Sequence, residues 1–174
     1  AYDAMLTDEG RGMLYVPFLN YADGNLDAVR EMLREPSAVP GLSDGGAHCG
    51  SICDSNFPTF LLTHWTRDRT RGERLPIEFA VTRYTRAPAE LIGLRDRGLI
   101  APGMKADVNL IDHANLYCSP PAIVHDLPAG GRRLMQTAKG YVATIVSGQI
   151  VIENDRHTGA LPGKLLRGGR ADPR

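Results

Sequence analysis

The sequence of 174 residues has few cysteines, few aromatic residues, no excess charge and no long apolar run. Its three cysteines, Cys49, Cys53 and Cys118, are too few and odd in number for a disulfide framework, and they suit a reducing compartment. The 20 basic and 20 acidic residues give a net charge of zero, so no basic field attracts nucleic acid. Apolar runs such as Phe60–Leu62 and Thr144–Val146 are far shorter than the ~20 residues that cross a membrane. We therefore expect a cytoplasmic protein with neither a nucleic-acid nor a membrane partner.

Several catalytic motifs are also missing from the sequence. It contains no H-x-H, H-E-x-x-H, G-x-S-x-G, G-x-G-x-x-G or P-loop pattern. His48, Cys49 and Cys53 carry possible metal donors, but no second Cys or His pair lies near enough to complete a structural zinc site. His64 lies on the apolar face of a predicted helix, so we expect a core histidine with satisfied polar atoms. Three further histidines stand alone in predicted loops: His113, His125 and His157.

The first hundred residues predict the order strand, helix, strand, loop and two or three helices. An apolar run predicts a strand or an extended segment within Met13–Leu19. A helix should follow with Asn25 as its cap and end before Pro36. Val39–Ser43 predicts a buried strand that leads into a loop rich in glycine, serine and cysteine over residues 44–56.

Helical spacing continues after this loop. The pattern predicts a helix over Phe57–Trp65, a charged link over Arg67–Arg74, and a helix from Pro76 to Tyr84 with Ile77, Ala80, Val81 and Tyr84 on one side. A short helix over Pro88–Ile92 should end at Gly93.

Beyond residue 107 the pattern changes to that of strands. Three strands are predicted: Val108–Ile111, Tyr141–Val146 and Gln149–Glu153. Ser147-Gly148 should connect the last two as a tight hairpin. The Pro/Gly-rich connector Ser119–Arg133 and the glycine-rich tail from Thr158 carry no predicted strand. The chain therefore divides near residue 100 into a helical part and a β-rich part.

The run from Leu42 to His48 is the most informative for chemistry. Asp44 follows the predicted strand Val39–Ser43 and precedes Gly45-Gly46, an arrangement that places an acid or base at the carboxyl edge of a sheet. The alternative is that Asp44 only caps a turn with its side chain, because Asp-Gly is a common turn pair. His48 could reach a substrate carboxylate if the two glycines fold it back.

Two arginine-containing segments are weaker candidates. Arg132 and Arg133 could clamp a carboxylate through two parallel hydrogen bonds. The segment Arg95–Gly98 is interpreted as a turn after a helix, with its charges in water.

Three motifs together resemble the carboxyl-terminal portion of an amidohydrolase-superfamily enzyme of the N-acyl-D-amino-acid deacylase (D-aminoacylase) type. The first is Gly41–Gly45, similar to the end of the eighth barrel strand with its single aspartate. The second is Thr85–Asp112, which contains T-x-x-P-A, D-R-G-x-I, P-G and A-D-x-x-x-x-D in order. The third is the hairpin Val142–Val151, followed by Thr158–Gly163.

The resemblance implies an α/β fold that is incomplete as a domain. Residues 1–100 would form the last strand and helices of a (β/α)8 barrel, and residues 101–174 part of a small β-sandwich. A complete barrel, typically about 250 residues, does not fit in 174. Because a strand without its neighbours exposes edges and an apolar face, we expect a homo-oligomer.

The resemblance also implies a chemistry. The complete enzyme would use zinc to hydrolyse the linear amide of a small-molecule substrate, giving a carboxylate and a D-amino acid. Asp44 would bind the metal or its water and act as the base. The other metal ligands of the family come from earlier barrel strands, so we expect zinc to be absent from this chain and the chain alone to be inactive. Two alternatives stay open: a cyclic-amide (dihydroorotase-like) amidohydrolase, and a non-catalytic assembly or binding module.

Overall fold

The computed structural model describes residues 1–16, 19–41, 43–45, 48–51 and 54–171. The chain forms two compact units, Ala1–Ala38 and Val39–Arg174. The boundary predicted near residue 100 falls inside the second unit and stays a prediction. Within the described ranges no helix is both long and apolar enough to cross a membrane.

The first unit contains three helices: α1 (Tyr2–Met5), α2 (Thr7–Gly10) and α3 (Asp27–Arg34). Helix α3 starts close to the predicted position, but its N-cap residue is Leu26 rather than Asn25. The Asn25 side chain accepts a hydrogen bond from the Asp27 N–H at 2.9 Å. The helix ends at Glu35, which takes the extended conformation favoured before a proline.

Of the two structures predicted for Met13–Leu19, the strand is not formed by the described part of that segment. Residues 13–16 and 19 have no regular structure, and Tyr15 is 88% exposed. Pro17 and Phe18 lie outside the described residues. An apolar run becomes a strand only where a second strand completes its hydrogen bonds, and no described residue pairs with this one.

The helices of the second unit follow the predicted order. Helix α4 (Phe57–Phe60) continues directly into a π-helix over Leu61–Asp68, in which the Arg69 N–H donates to the His64 carbonyl five residues earlier, at 2.8 Å. The helix therefore continues past the predicted end at Trp65. It includes the first two residues of the segment that was predicted as a charged link.

Two short helices follow, α5 (Ile77–Tyr84) and α6 (Arg86–Leu91). Pro76 precedes α5 as predicted, and Gly93 lies just beyond α6 with a positive φ of 74°. Of the residues predicted to share one side of α5, Ala80 is buried, whereas Ile77 and Val81 are 37% and 44% exposed. The helix packs against the π-helix and also buries Arg83.

The largest sheet has four antiparallel strands in the order β1-β6-β7-β8. They are β1 (Val108–Ile111), β6 (Tyr141–Val146), β7 (Gln149–Glu153) and β8 (Arg156–His157). The first three confirm the predicted strands. The connection between β6 and β7 is also confirmed, since Ser147 and Gly148 both have positive φ, at 52° and 78°, as a type I′ turn requires.

The segment Tyr117–Lys139 folds back on itself as a two-stranded structure, which we call the arm. Its base pairs β2 (Tyr117–Cys118) with β5 (Ala138–Lys139), and its outer part pairs β3 (Ala122–Leu127) with β4 (Gly131–Met135). The prediction of a connector without strands over Ser119–Arg133 is therefore wrong. Its prolines, at 120, 121 and 128, flank β3 rather than interrupt it.

The strand predicted over Val39–Ser43 is likewise not formed by its described residues. Val39–Gly41 and Ser43 are irregular, and Leu42 lies outside the described residues. No described residue pairs with them, which removes the hydrogen-bonded neighbours that a strand requires. The architecture is mixed α and β with three small sheets, and the part of the chain that the structure describes contains no closed barrel.

An ion-pair cluster around Asp107 joins the turn after α6 to the large sheet. The Asp107 carboxylate accepts hydrogen bonds from Lys105 Nζ at 2.7 and 2.9 Å, from the Ser147 N–H at 2.8 Å and from Arg97 Nη1 at 3.4 Å. Arg97 also pairs with Asp96, and their side chains are only 17% and 26% exposed. The prediction that the charges of this turn lie in water is therefore wrong for these two residues.

The same cluster sets the ionisation of Asp107. Burial alone would raise its pKa, but the hydrogen bonds from Lys105 and Ser147, together with the charge of Arg97, outweigh burial and hold the pKa below the ordinary 3.8. The carboxylate therefore stabilises the fold above that ordinary value. This contribution is lost as the pH falls through the lower folded pKa.

Gly140 should be the least replaceable of the hairpin glycines. Its φ is 104°, and a Cβ there would lie 2.8 Å from the Cα of the fully buried Leu116. We expect Gly140→Ala to lower the free energy of unfolding by about 3 kcal/mol. Gly148→Ala, at a positive φ with no atom within 4 Å of the new Cβ, should cost about 1–2 kcal/mol. Urea denaturation of both variants measures the difference, and equal losses would contradict the steric argument.

Candidate functional site

Asp44 lies at the start of a loop that its own backbone closes. The Asp54 N–H donates to the Asp44 carbonyl at 3.1 Å, and we call residues 44–54 the Asp44 loop. Gly45 fits here because a Cβ would lie 3.1 Å from the Cβ of Ser55. The Asp44 side chain is exposed, and no described residue donates a hydrogen bond to its carboxylate.

His48 lies in the same loop in a left-handed conformation, with φ of 48°. Its carbonyl accepts hydrogen bonds from the Ser51 N–H at 2.8 Å and from Ser51 Oγ at 3.2 Å, which forms a turn. The imidazole is exposed, and no described hydrogen bond joins it to Asp44. The structure thus places both predicted residues in one loop without direct contact, and their catalytic and substrate-binding roles stay predictions.

The Asp44 loop contacts the arm through its backbone. The Cys49 carbonyl accepts a hydrogen bond from the Leu134 N–H of β4 at 2.6 Å. Cys49 is half-buried with a free thiol, as is Cys118, whereas Cys53 lies outside the described residues. No sequence pattern predicts this contact, since the two residues are 85 positions apart.

The described residues do not form a metal site by themselves. Across the described ranges, no three side chains of the types His, Cys, Asp and Glu converge closely enough to hold a metal ion. A catalytic zinc takes about three protein ligands, and Asp44 offers one carboxylate. This donor set does not fit zinc alone.

The predicted arginine clamp forms at Arg133, but the carboxylate that it binds is a side chain of this protein. Arg133 donates two parallel hydrogen bonds to Asp126 on β3, at 2.8 and 2.7 Å. These bonds raise the pKa of Arg133 and lower that of Asp126. Arg132, on the same strand, is exposed.

His64 lies on the π-helix among aromatic side chains. Its ring stacks on Phe60 at 4.7 Å and meets Trp65 edge-on at 5.0 Å, and the Arg69 guanidinium lies 4.7 Å from the centre of the Trp65 ring. The His64 Nε2 atom is buried without a hydrogen-bond partner among the described residues. The expectation of a satisfied core histidine is therefore wrong for this nitrogen, and burial, with a smaller effect of Arg69, lowers the His64 pKa.

The contacts of another histidine, His113, were not predicted from the sequence. His113 Nε2 lies 2.9 Å from the Leu62 carbonyl and 3.0 Å from Thr66 Oγ1, and since a carbonyl only accepts, this nitrogen carries the proton. Arg67 on the same helix donates to the carbonyls of His113, Ala114 and Leu116. These bonds fix the segment after β1 on the π-helix. A cationic residue in the last turn of a helix was the only signal for them.

Comparison with known proteins identifies the class of this chain as a hydrolase scaffold of mixed α and β structure. A model of the amidohydrolase family matches residues 5–152, and the chain belongs to that family. No curated protein and no solved structure matches it. Membership of the family supports hydrolysis as the activity.

The unsatisfied His64 nitrogen predicts a pH dependence of stability. Because the folded state binds this proton less tightly than the unfolded chain, stability is full above the ordinary pKa of 6.5 and falls as the pH decreases towards the lower folded value. We expect His64→Phe to flatten the dependence of the free energy of unfolding on pH in this window. Denaturant titrations from about pH 7 to 5 measure it. His157→Gln, at an exposed histidine, is the control, and an unchanged slope in His64→Phe would contradict the argument.

Proposed function

We propose that this chain supplies the proton-transferring carboxylate, Asp44, of a hydrolase that cuts linear amide bonds. The observation that carries the proposal is the combination of a family match over residues 5–152 with an exposed carboxylate, unpartnered among the described residues, at the position of the family-like motif Gly41–Gly45. The proposed substrates are N-acyl-D-amino acids, and the products are a carboxylate and a D-amino acid.

Asp44 would act twice in this reaction. Its carboxylate removes a proton from the attacking water as the oxygen bonds to the amide carbon. The same proton then passes to the nitrogen as the C–N bond breaks, because an amine leaves far more readily than an amide anion. A carboxylate that already accepts hydrogen bonds from its own chain would be a weaker base, so the lack of described partners at Asp44 favours this role.

The remaining parts of the site are proposed to lie outside these 174 residues. The chain has no H-x-H pattern, and its described residues do not assemble three metal ligands. Zinc in the complete enzyme would therefore take most of its ligands from other polypeptide, and the chain alone is expected to be inactive. His48, in the same loop, is the proposed contact for a substrate carboxylate.

The choice of linear over cyclic amides rests on the motif Thr158–Gly163, which resembles the deacylase branch. The T-x-x-P-A and A-D motifs do not distinguish the two, since cyclic-amide amidohydrolases share them. A panel of N-acetyl-D-amino acids, N-acetyl-L-amino acids and a cyclic ureide, given to the protein extended at its amino end, separates the alternatives.

Replacing the proposed acid–base group should remove most of the activity. In the amino-terminally extended protein we expect Asp44→Asn to lower kcat for an N-acetyl-D-amino acid by about 10²- to 10⁴-fold, the range of general acid–base catalysis, with little change in KM. The matched control is Asp54→Asn, which alters an exposed carboxylate at the other end of the same loop. Full activity in Asp44→Asn, or equal losses in both variants, would reject the role of Asp44.

The exposed apolar side chains of the second unit lead us to propose a homo-oligomer. Ile100 is 85% exposed, and Leu110 on the edge strand β1 is 58% exposed. Apolar edges of this kind favour association. Light scattering coupled to gel filtration should give at least twice the 18.9 kDa of one chain. A monomer that keeps its β-sheet circular-dichroism signal would contradict the proposal.

A further inference from the structure

The arm reaches from the large sheet to the Asp44 loop. At its base, Cys118 of β2 lies beside α4, where Thr59 Oγ1 and the Tyr141 hydroxyl of β6 are 2.7 Å apart. Thr59 also hydrogen-bonds the Cys118 thiol, whose pKa burial raises. The base of the arm is therefore joined to α4 at a buried residue, Thr59.

The outer part of the arm holds the loop along one strand edge. Leu134 of β4 is in register with Ile123 of β3, yet its N–H points away from β3 and donates to the Cys49 carbonyl. Cys49 lies midway along the Asp44 loop, whose ends are joined by the bond between Asp54 and Asp44. The loop is thus fixed at its ends by its own backbone and in its middle by β4.

The residue next to this contact carries the ion pair of the arm. Arg133 of β4 binds Asp126 of β3 across the irregularity in register between Val124 and Leu127, where the regular pairing of the two strands is interrupted. After Asp126, Cys49 also contributes to the raised pKa of Arg133, which places the Cys49 side chain in the electrostatic neighbourhood of the guanidinium. The pair therefore ties the two strands together beside the Leu134–Cys49 bond.

We propose that the arm is a strap that holds the Asp44 loop, and that Arg133 and Asp126 are positioning residues that keep the Leu134 N–H on the Cys49 carbonyl. The catalytic meaning of the strap rests on the proposed function of Asp44. The contact between the arm and the Asp44 loop does not rest on that proposed function, because it can be measured on the chain without any substrate.

Cys49 provides the probe for this docking. When the strap is released, its half-buried thiol should become more accessible, so we expect Asp126→Asn to raise the rate of Cys49 alkylation by iodoacetamide about two- to fivefold, the range set by one exposed ion pair. Quenched samples are digested, and fragment-ion mass spectrometry separates Cys49 from Cys53 and Cys118. The rate at Cys118, in the base of the arm, should stay unchanged. Hydrogen exchange of the Leu134 amide should accelerate in parallel.

Glu90→Gln is the matched control, since it removes the Arg86–Glu90 ion pair, which has similar exposure but lies on α6. It should leave Cys49 reactivity and Leu134 exchange at wild-type values. Unchanged Cys49 and Leu134 rates in Asp126→Asn, or an equal rise in Glu90→Gln, would overturn the strap. Loss of activity in Asp44→Asn with an unchanged Cys49 rate in Asp126→Asn would retain the proposed function and reject the strap. Full activity in Asp44→Asn with a raised Cys49 rate in Asp126→Asn would reject the proposed function and retain the strap.

Discussion

The carboxylate of Asp107 is the constraint on which the arrangement of the second unit depends. The Asp107 side chain is 30% exposed, and a carboxylate partly shielded from water is costly unless donors surround it. Here the donors come from three parts of the chain: Arg97 after α6, Lys105 before β1 and the backbone of Ser147 in the β6–β7 turn. Satisfying this one group therefore fixes the helical segment against the sheet. The residues involved belong to the stretch whose motifs resemble the amidohydrolase family.

The elements that the sequence predicted well are those encoded by neighbouring residues. Strands β1, β6 and β7 alternate or cluster apolar residues next to turn residues, and Ser147-Gly148 suits a two-residue hairpin whatever surrounds it. Helix α3 likewise has Asn25 just before its start and Pro36 just after its end. For the β6–β7 hairpin and for α3 the deciding contacts lie within about ten residues, whereas β1 has a local strand pattern but pairs with β6, 30 to 37 residues away.

The predictions that failed concern segments whose structure is decided by residues distant in the sequence. The π-helix extends to Asp68 because Arg67 and Thr66 are engaged by the segment after β1, about 47 residues away. The strands of the arm pair with each other and contact α4 and the Asp44 loop, which are distant in sequence, and the prolines around the strands suggested a loop. The described part of Val39–Ser43 shows the converse, since its apolar pattern finds no paired neighbour and forms no strand. Similarly, Asp44 could be named from its motif, whereas its support by Leu134 could not.

These features together suggest how a carboxylate can be both available and well placed. A side chain that transfers protons loses basicity when its own protein donates hydrogen bonds to it, so its position has to be set through the backbone. The Asp44 loop has this property among the described residues: the Asp44 carbonyl is bound by the Asp54 N–H, Gly45 passes close to Ser55, and the Cys49 carbonyl is bound by Leu134. These three constraints act on the main chain, which leaves the carboxylate of Asp44 exposed for the chemistry proposed for it.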